Sequence, residues 1–384
     1  MQEKVIRSQR ILVAGQVVPA DLVLGGGLIL EIVPYGSRSD AVDLGGMLIL
    51  PGLVDLHSDA VEKEIEPRPG ATFPVKSSLI ELDKKLAMSG ITTMFHAIAF
   101  NDEAIVSSRG TRMADSIIRQ IHRINRTDLT VDNLIHVRYE ITSFSSIPII
   151  RALMDEDKMQ LFSIMDHTPG RGQFKSIESW KRFHLPVYDL NEEQADAIIR
   201  DKQAGREEAC KRITELLDLG RQYNLVLLSH DDDDPDKIDL NREWGITISE
   251  FPLNTATAAY AREQGISTGM GAPNVVRGKS QGGNISARDL IRAGHCDYLC
   301  SDYHPGSLLQ AAFVLREDMQ MDFGDSLAMV SSTPARIAGL TDRGEIAENM
   351  LADLIVVDDR DIPRVVTTFK AGEIVYSSLG CLCA

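Results

Sequence analysis

Basic charge is scarce in this chain of 384 residues: 40 lysines and arginines stand against 56 aspartates and glutamates, a formal net charge of −16. Nucleic-acid binding draws on Lys and Arg clustered against the phosphate backbone, so no nucleic-acid partner is expected. A small anionic substrate is not excluded, because a few arginines or bound cations reverse the potential inside one cleft whatever the total charge. Long apolar runs are missing too. Stretches such as "GGMLILPGLV" and "LVLLS" fall well short of the roughly 18 residues of a membrane span, and no transmembrane segment is expected. The N-terminus lacks a basic segment followed by an apolar core, so the sequence predicts no secretory signal and a cytoplasmic protein. Cysteine is sparse and odd in number (Cys210, Cys296, Cys300, Cys381 and Cys383), without zinc-ribbon spacing, which points to reduced thiols.

What is present falls into two textures. The first fifty residues read as short strands punctuated by Gly and Pro, and the last forty repeat that pattern in "ADLIVVDD" and "RVVTTFKAGEIVYSS". Between them, apolar strands alternate with stretches of helical periodicity: "LILPGLVDLH", "GITTMFHAIAF", "NLIHVRYE", "LFSIMDH", "LVLLSH", "GITISEFPL", "GISTGMG" and "DYLCSD". Near-continuous apolar strands followed by helices argue for a parallel sheet covered by helices, and eight of them fit a closed (β/α)8 TIM-like barrel. The expected fold class is α/β, with the barrel over residues 48–343. Residues 1–47 and 344–384 are expected to form one small β-sandwich domain.

Five of the eight predicted strands end in a metal-ligating residue: His57 with Asp59, Glu140, His167, His230 and Asp302. In a parallel barrel all C-terminal strand ends converge on one mouth, so these distant positions are expected to meet. Three histidines and three carboxylates suit zinc or manganese, and the set is large enough for two divalent cations. In His57-X-Asp59, alternation along the strand sends both side chains the same way. Glu140 is the expected bridge between the ions, with His167 and His230 on the second. Cations sharing a water lower its pKa towards neutrality, and Asp302 is the expected general base, which makes the reaction a hydrolysis.

The remaining candidates carry blander expectations. His122, His136 and His184 are expected to be hydrogen-bonded structural residues. His96, near the end of the second strand, contacts substrate or supports a ligand from behind. The run "HDDDDPD" after His230 reads as a loop capping a helix, with Asp231 or Asp232 able to enter the site. His295, Cys296 and Cys300 enter a strand and are expected to be buried structure.

The split terminal domain together with "PGLVDLHSD", "GITT", "SSTPARIAGL" and "GEIAENMLADLIVVD" resembles the amidohydrolase superfamily over essentially the whole chain. Members usually carry His-X-His on the first strand; here Asp59 replaces the second histidine. More narrowly, "DLHSDAVEKEIEPRPG", "MDHTPGRGQF", "SEFPLNTATA", "MGAPNVVRGKSQGGN" and "CSDYHP" resemble the triphosphate diphosphatase family of phosphonate catabolism. Its members hydrolyse a triphosphorylated ribose phosphonate to the 5-phosphate and pyrophosphate, ahead of the carbon-phosphorus lyase. The resemblance implies metal ligands at His57, Asp59, Glu140, His167, His230 and Asp302. No lysine occupies a matching strand end in "NLIHVRYEIT", so a carbamylated-lysine bridge is not expected.

A triphosphate needs several donors along a polyanion, and the sequence supplies Arg68, Arg171, Arg277, Lys279 and Ser280 in loops after strand ends. Gly278, Gly282 and Gly283 would let backbone N–H groups approach phosphate oxygens. His304, two residues beyond Asp302, is a candidate contact to substrate or leaving group. The alternative is a deacetylase acting on an N-acetyl sugar phosphate or an N-acyl amino acid, which needs fewer cations at the mouth. A homo-oligomer such as a dimer is the expected assembly.

Overall fold

The computed structural model describes residues 3–68, 70–101, 110–125, 127–170, 176–188, 190–280 and 283–379. Eight parallel strands form the central sheet: β6 (Leu53–Ser58), β7 (Ile91–Phe100), β8 (Asp132–Glu140), β9 (Leu161–Met165), β10 (Val226–His230), β11 (Ile248–Glu250), β12 (Ser267–Gly271) and β13 (Tyr298–Cys300). They pair in chain order, and the two ends meet at a bridge between Ser58 and Asp302. There the Asp59 N–H donates to the Asp302 carbonyl (2.6 Å) and the Asp302 N–H to that of His57 (3.0 Å). The seam that closes the barrel is thus tied by residues expected in the site.

The terminal segments supply β1 (Lys4–Val13), β2 (Gln16–Gly25), β3 (Leu28–Pro34), β4 (Val42–Asp43), β5 (Leu48–Pro51), β14 (Leu354–Asp358), β15 (Arg364–Lys370) and β16 (Glu373–Ser377). They form a single sheet in the order β16-β15-β14-β5-β1-β2-β3, with β4 on β1, curled around its own core of Ile6, Leu22, Ile49, Leu354 and Val356. "LILP", read from sequence as the start of the first barrel strand, is β5 and pairs with β1 and β14. The terminal sheet therefore reaches Pro51, and the barrel begins at Leu53. Gly52 makes the turn between them: a Cβ there would lie 2.3 Å from the Thr92 Oγ1.

All ten residues of β7 are buried, as expected for a strand covered on both faces. The helix Thr111–Ile124 shows how the outer layer is held. Its Ala114, Ile117, Ile118, Ile121 and Ile124 recur at helical spacing and are all buried against the sheet. The long helix Glu192–Gln222 starts at Asn191, whose side chain accepts from the Gln194 N–H while the Gln194 side chain accepts from the Asn191 N–H. No helix of the described residues is long and apolar enough to cross a membrane.

Candidate metal centre at the barrel mouth

The strand ends deliver one continuous string of contacts. The His57 Nδ1 lies 2.8 Å from Glu250 Oε2, and its Nε2 lies 3.6 Å from Asp59 Oδ1. Across the mouth, His230 Nδ1 is 3.1 Å from Asp231 Oδ2, and the same oxygen is 3.6 Å from His167 Nε2. His167 Nδ1 then reaches Glu140 Oε2 at 3.1 Å. His230 Nε2 and His136 Nε2 face Glu250 Oε2 at 3.9 and 4.0 Å. The six side chains expected as ligands are therefore neighbours in one face of the barrel, joined by three others: Glu250, Asp231 and His136.

Those additions change the roles. The carboxylate standing among the histidines is Glu250, at the end of β11, and its Oε1 accepts from the Tyr298 hydroxyl at 2.9 Å. Glu140, expected to bridge, is held to one side, where Lys202 from the long helix lies 3.2 Å from Oε1 and Thr142 donates to the same oxygen. His136, expected to be structural, is buried between Leu56 and Glu250. The strand-end rule that picked five strands would have found Glu250 in "GITISEF" had it been applied to all eight. His136 is four residues short of its strand's end and carries no such signal.

All four histidines share a tautomer logic. Nδ1–H donates backwards, from His57 to Glu250, from His136 to the Leu56 carbonyl, from His167 to Glu140 and from His230 to Asp231. Each Nε2 is left facing a carboxylate oxygen 3.6 to 4.0 Å away. That is too long for a hydrogen bond but close to the roughly 3.4 Å between two donors of one tetrahedral zinc ion. The buried Nε2 atoms of His136 and His230 have no hydrogen-bond partner. Ligand atoms of His57, His230 and Glu250 lie within 4.8 Å of one another, as do those of His57, Asp59 and Asp302. The donor set fits divalent cations, with backing carboxylates and carbonyls that fix each ring.

Electrostatics agree with that fit. Burial opposes a charge on His57, but Glu250 and Asp59 hold its pKa up at about 10. Burial opposes a charge on His167 too, yet Asp231 and Glu140 raise it to about 9. The protein compensates its buried carboxylates with protons that an entering cation would release. Burial pushes His136 down to about 3, so its ring is neutral. Burial and the neighbouring Asp59 push Asp302 up to about 6. Arg138, on β8, donates from Nη1 to Asp59 Oδ1 at 2.7 Å, placing a buried guanidinium beside the carboxylates. Phe251 packs edge-on against His57 and His230 and walls the centre.

The other expected residues divide. Asp231 enters the centre, whereas Asp232 is buried behind it, accepting from Ser229, Ser249 and Asn241. His96 lies inside β7 and donates from Nε2 to Asn133 Oδ1 (2.7 Å), and Asn133 in turn bonds Asp83 of the outer helix Val75–Met88. Its ring turns to the helix layer, because Asp83 and Asn133 offer a buried polar partner there. Arg277 reaches the Tyr303 hydroxyl, next to Asp302, at 3.4 Å. Gly278 follows it at φ +72°, ending the helix Ala272–Arg277, with Lys279 exposed and Ser280 half-buried beyond. His304 is exposed on the Asp302 loop, and Arg68 is exposed between two helices. Arg171 and Gly282 lie outside the described residues. Cys210, Cys296 and Cys300 are free thiols, the last two buried.

Over 372 residues the chain is 32% identical to the α-D-ribose 1-methylphosphonate 5-triphosphate diphosphatase of Escherichia coli (strain K12), spanning 93% of this chain and 96% of that one. Residues 249–376 match the amidohydrolase family. The chain belongs to this diphosphatase family of the amidohydrolase superfamily. Solved structures extend the amidohydrolase likeness to the fold. The dihydropyrimidinase from Brevibacillus agri is similar at TM-score 0.64 and 12% identity, over 98% of this chain and 95% of that one. The N-acetylglucosamine-6-phosphate deacetylase from Pasteurella multocida is similar at TM-score 0.64 and 12% identity, over 97% and 100%. At such identities the likeness is one of architecture. The chain is a hydrolase of this superfamily, with candidate metal-binding groups at its barrel mouth.

Proposed function

We propose that the protein hydrolyses α-D-ribose 1-methylphosphonate 5-triphosphate to α-D-ribose 1-methylphosphonate 5-phosphate and pyrophosphate. The observation that carries the reading is the ring of imidazole Nε2 atoms facing carboxylates across a non-hydrogen-bonding gap, in a chain whose curated relative is that diphosphatase. Two positions suit divalent cations, zinc or manganese: His57, Asp59 and Asp302 at one, and His230 with Glu250 and the adjoining His136 at the other. His167, Asp231 and Glu140 flank the second. Bound there, such cations supply Lewis acidity towards phosphoryl oxygens and lower the pKa of water.

The chain's own residues do the rest. Asp302 takes a proton from the attacking water onto a carboxylate oxygen and returns it to the pyrophosphate leaving group, as the phosphorus–oxygen bond between the first and second phosphates breaks. Burial and the neighbouring Asp59 raise the Asp302 pKa to about 6, which leaves it an ionised, proton-accepting carboxylate at neutral pH. Arg138 holds Asp59 in place and contributes fixed positive charge where negative charge accumulates. Arg68, Arg171, Arg277, Gly278, Lys279, Ser280 and His304 are the candidates for lining the polyphosphate. The test is product analysis with the purified, metal-loaded protein. Stoichiometric pyrophosphate from the ribose triphosphate is expected. Acetate from N-acetylglucosamine 6-phosphate, with no pyrophosphate from the triphosphate, would overturn the reading in favour of the deacetylase alternative.

A further inference from the structure

Three side chains on the rim stand apart from the ligand string. Lys63, in the helix Ala60–Ile65 that follows β6, holds its Nζ 4.5 Å from the centre of the Tyr303 ring. Arg277, the last residue of the helix that follows β12, donates to the hydroxyl of the same tyrosine. Tyr303 itself follows Asp302 after β13. Since β12, β13 and β6 are consecutive around the closing seam, two cations from opposite ends of the barrel sequence meet over one half-buried ring.

What separates this pair from the other mouth cations is the lack of a close ion pair, the Lys63 charge acting on the Asp302 carboxylate only through space. Arg138 is matched by Asp59, Lys202 by Glu140 and Lys237 by Asp232. Lys63 and Arg277 are exposed, and among the described residues neither forms an ion pair with a carboxylate. In a chain with a net charge of −16, two cations without an ion-paired carboxylate thus stand at one aromatic side chain beside the proposed base.

We propose that Lys63, Tyr303 and Arg277 form a subsite for a phosphate or diphosphate group next to Asp302. It rests on the reading that the substrate is a triphosphate, and assigns this corner to the departing end of that chain. Lys63 offers a point charge with three donors, kept over the ring by cation–π attraction. Arg277 offers a planar fork, and because it donates to the tyrosine oxygen, the Tyr303 hydroxyl hydrogen remains free to donate to the ligand. A lone carboxylate, with one charge, would satisfy one of these cations; two converging cations match a dianion or more.

The probe is inorganic pyrophosphate, titrated calorimetrically into the metal-loaded, full-length protein at fixed ionic strength. Lys63→Gln and Arg277→Gln are each expected to weaken pyrophosphate binding about tenfold, the loss of one charge-assisted contact. Lys63→Glu should weaken it further, and metal content should stay at the wild-type level in all three. Unchanged pyrophosphate affinity in both neutral variants overturns the subsite, whether or not the triphosphate is hydrolysed. If the triphosphate is not a substrate while pyrophosphate binding still depends on Lys63 and Arg277, the subsite stands and the functional reading falls. Competition by acetate at concentrations matching pyrophosphate would reassign the corner to carboxylates and overturn the proposal.

Discussion

At the scale of single residues, the centre is marked by the buried Nε2 atoms of His136 and His230, which have no hydrogen-bond partner. His136 gives its Nδ1–H to the Leu56 carbonyl, and its Nε2 faces Glu250 without a partner. His136→Gln is therefore expected to weaken metal retention at least about tenfold in dialysis against a buffered zinc pool, with the fold intact. A structural histidine alone would leave the metal affinity unmoved. Asp302 poses the complementary case. Asp302→Asn keeps an oxygen at the seam but cannot accept a proton, so single-turnover hydrolysis should fall by roughly a hundredfold or more while most of the metal remains. Near-normal turnover in that variant would assign the base elsewhere.

At the scale of elements, strand ends and the gaps between strands do the aiming. Asp231, Phe251 and Asp302 follow β10, β11 and β13 with φ of 52°, 54° and 57°, the left-handed region that residues with a Cβ seldom occupy. Three such turns at one mouth bend the chain so that each strand's last side chain points inwards. Gly269 on β12 is part of the same device. A Cβ there would sit 2.3 Å from the Tyr298 ring and 2.5 Å from its hydroxyl, the group that holds Glu250. Gly269→Ala is expected to displace Tyr298, lowering both the thermal midpoint and the metal affinity; restoring space with Tyr298→Phe should recover stability more than metal binding. In the terminal sheet, Asp21 on β2 accepts from Arg7 of β1 and from the Gly36 and Arg38 N–H groups. The Arg7 hydrogen bond outweighs burial and these contacts lower its pKa to about 2. Because the folded-state value is depressed, the stabilisation is present above the ordinary carboxylate range and fades as pH falls from about 4 towards 2. Urea midpoints of wild type and Asp21→Asn should accordingly differ at pH 6 and converge at pH 2.

At the scale of the whole molecule, the sheet made from both chain ends is joined to the barrel by a partly buried charged knot. Lys370 of β15 contacts Asp132, the first residue of β8, and Asp353, each at 2.7 Å, and Arg343 also bonds Asp132. Asp353 is almost fully buried and accepts from the Ala371 N–H as well. Lys370→Met leaves these carboxylates without their shared cation and is expected to cost about 3 kcal/mol. Urea unfolding followed by both far-ultraviolet dichroism and tryptophan fluorescence would report it. An unchanged midpoint would mean that the Lys370 contacts add nothing to the joint between barrel and sheet.

The sequence by itself determined the α/β barrel, its eight strands and part of what lies at its mouth. Apolar runs of strand length, each closed by a titratable residue, are a local signal, and a parallel barrel turns local strand ends into neighbours. His57, Asp59, His167, His230 and Asp302 were legible for that reason. Tertiary structure alone decided which carboxylate stands among the histidines, because Glu140 and Glu250 both end strands and only barrel packing brings Glu250 to His57 while Lys202 draws Glu140 aside. It also decided that His96 turns outwards and His136 inwards, since the facing of a fully buried strand is not written in a polar–apolar alternation. The meeting of Lys63 and Arg277 over Tyr303 depends on closure of the seam between β6 and β13, a contact between residues far apart along the chain that no local pattern encodes.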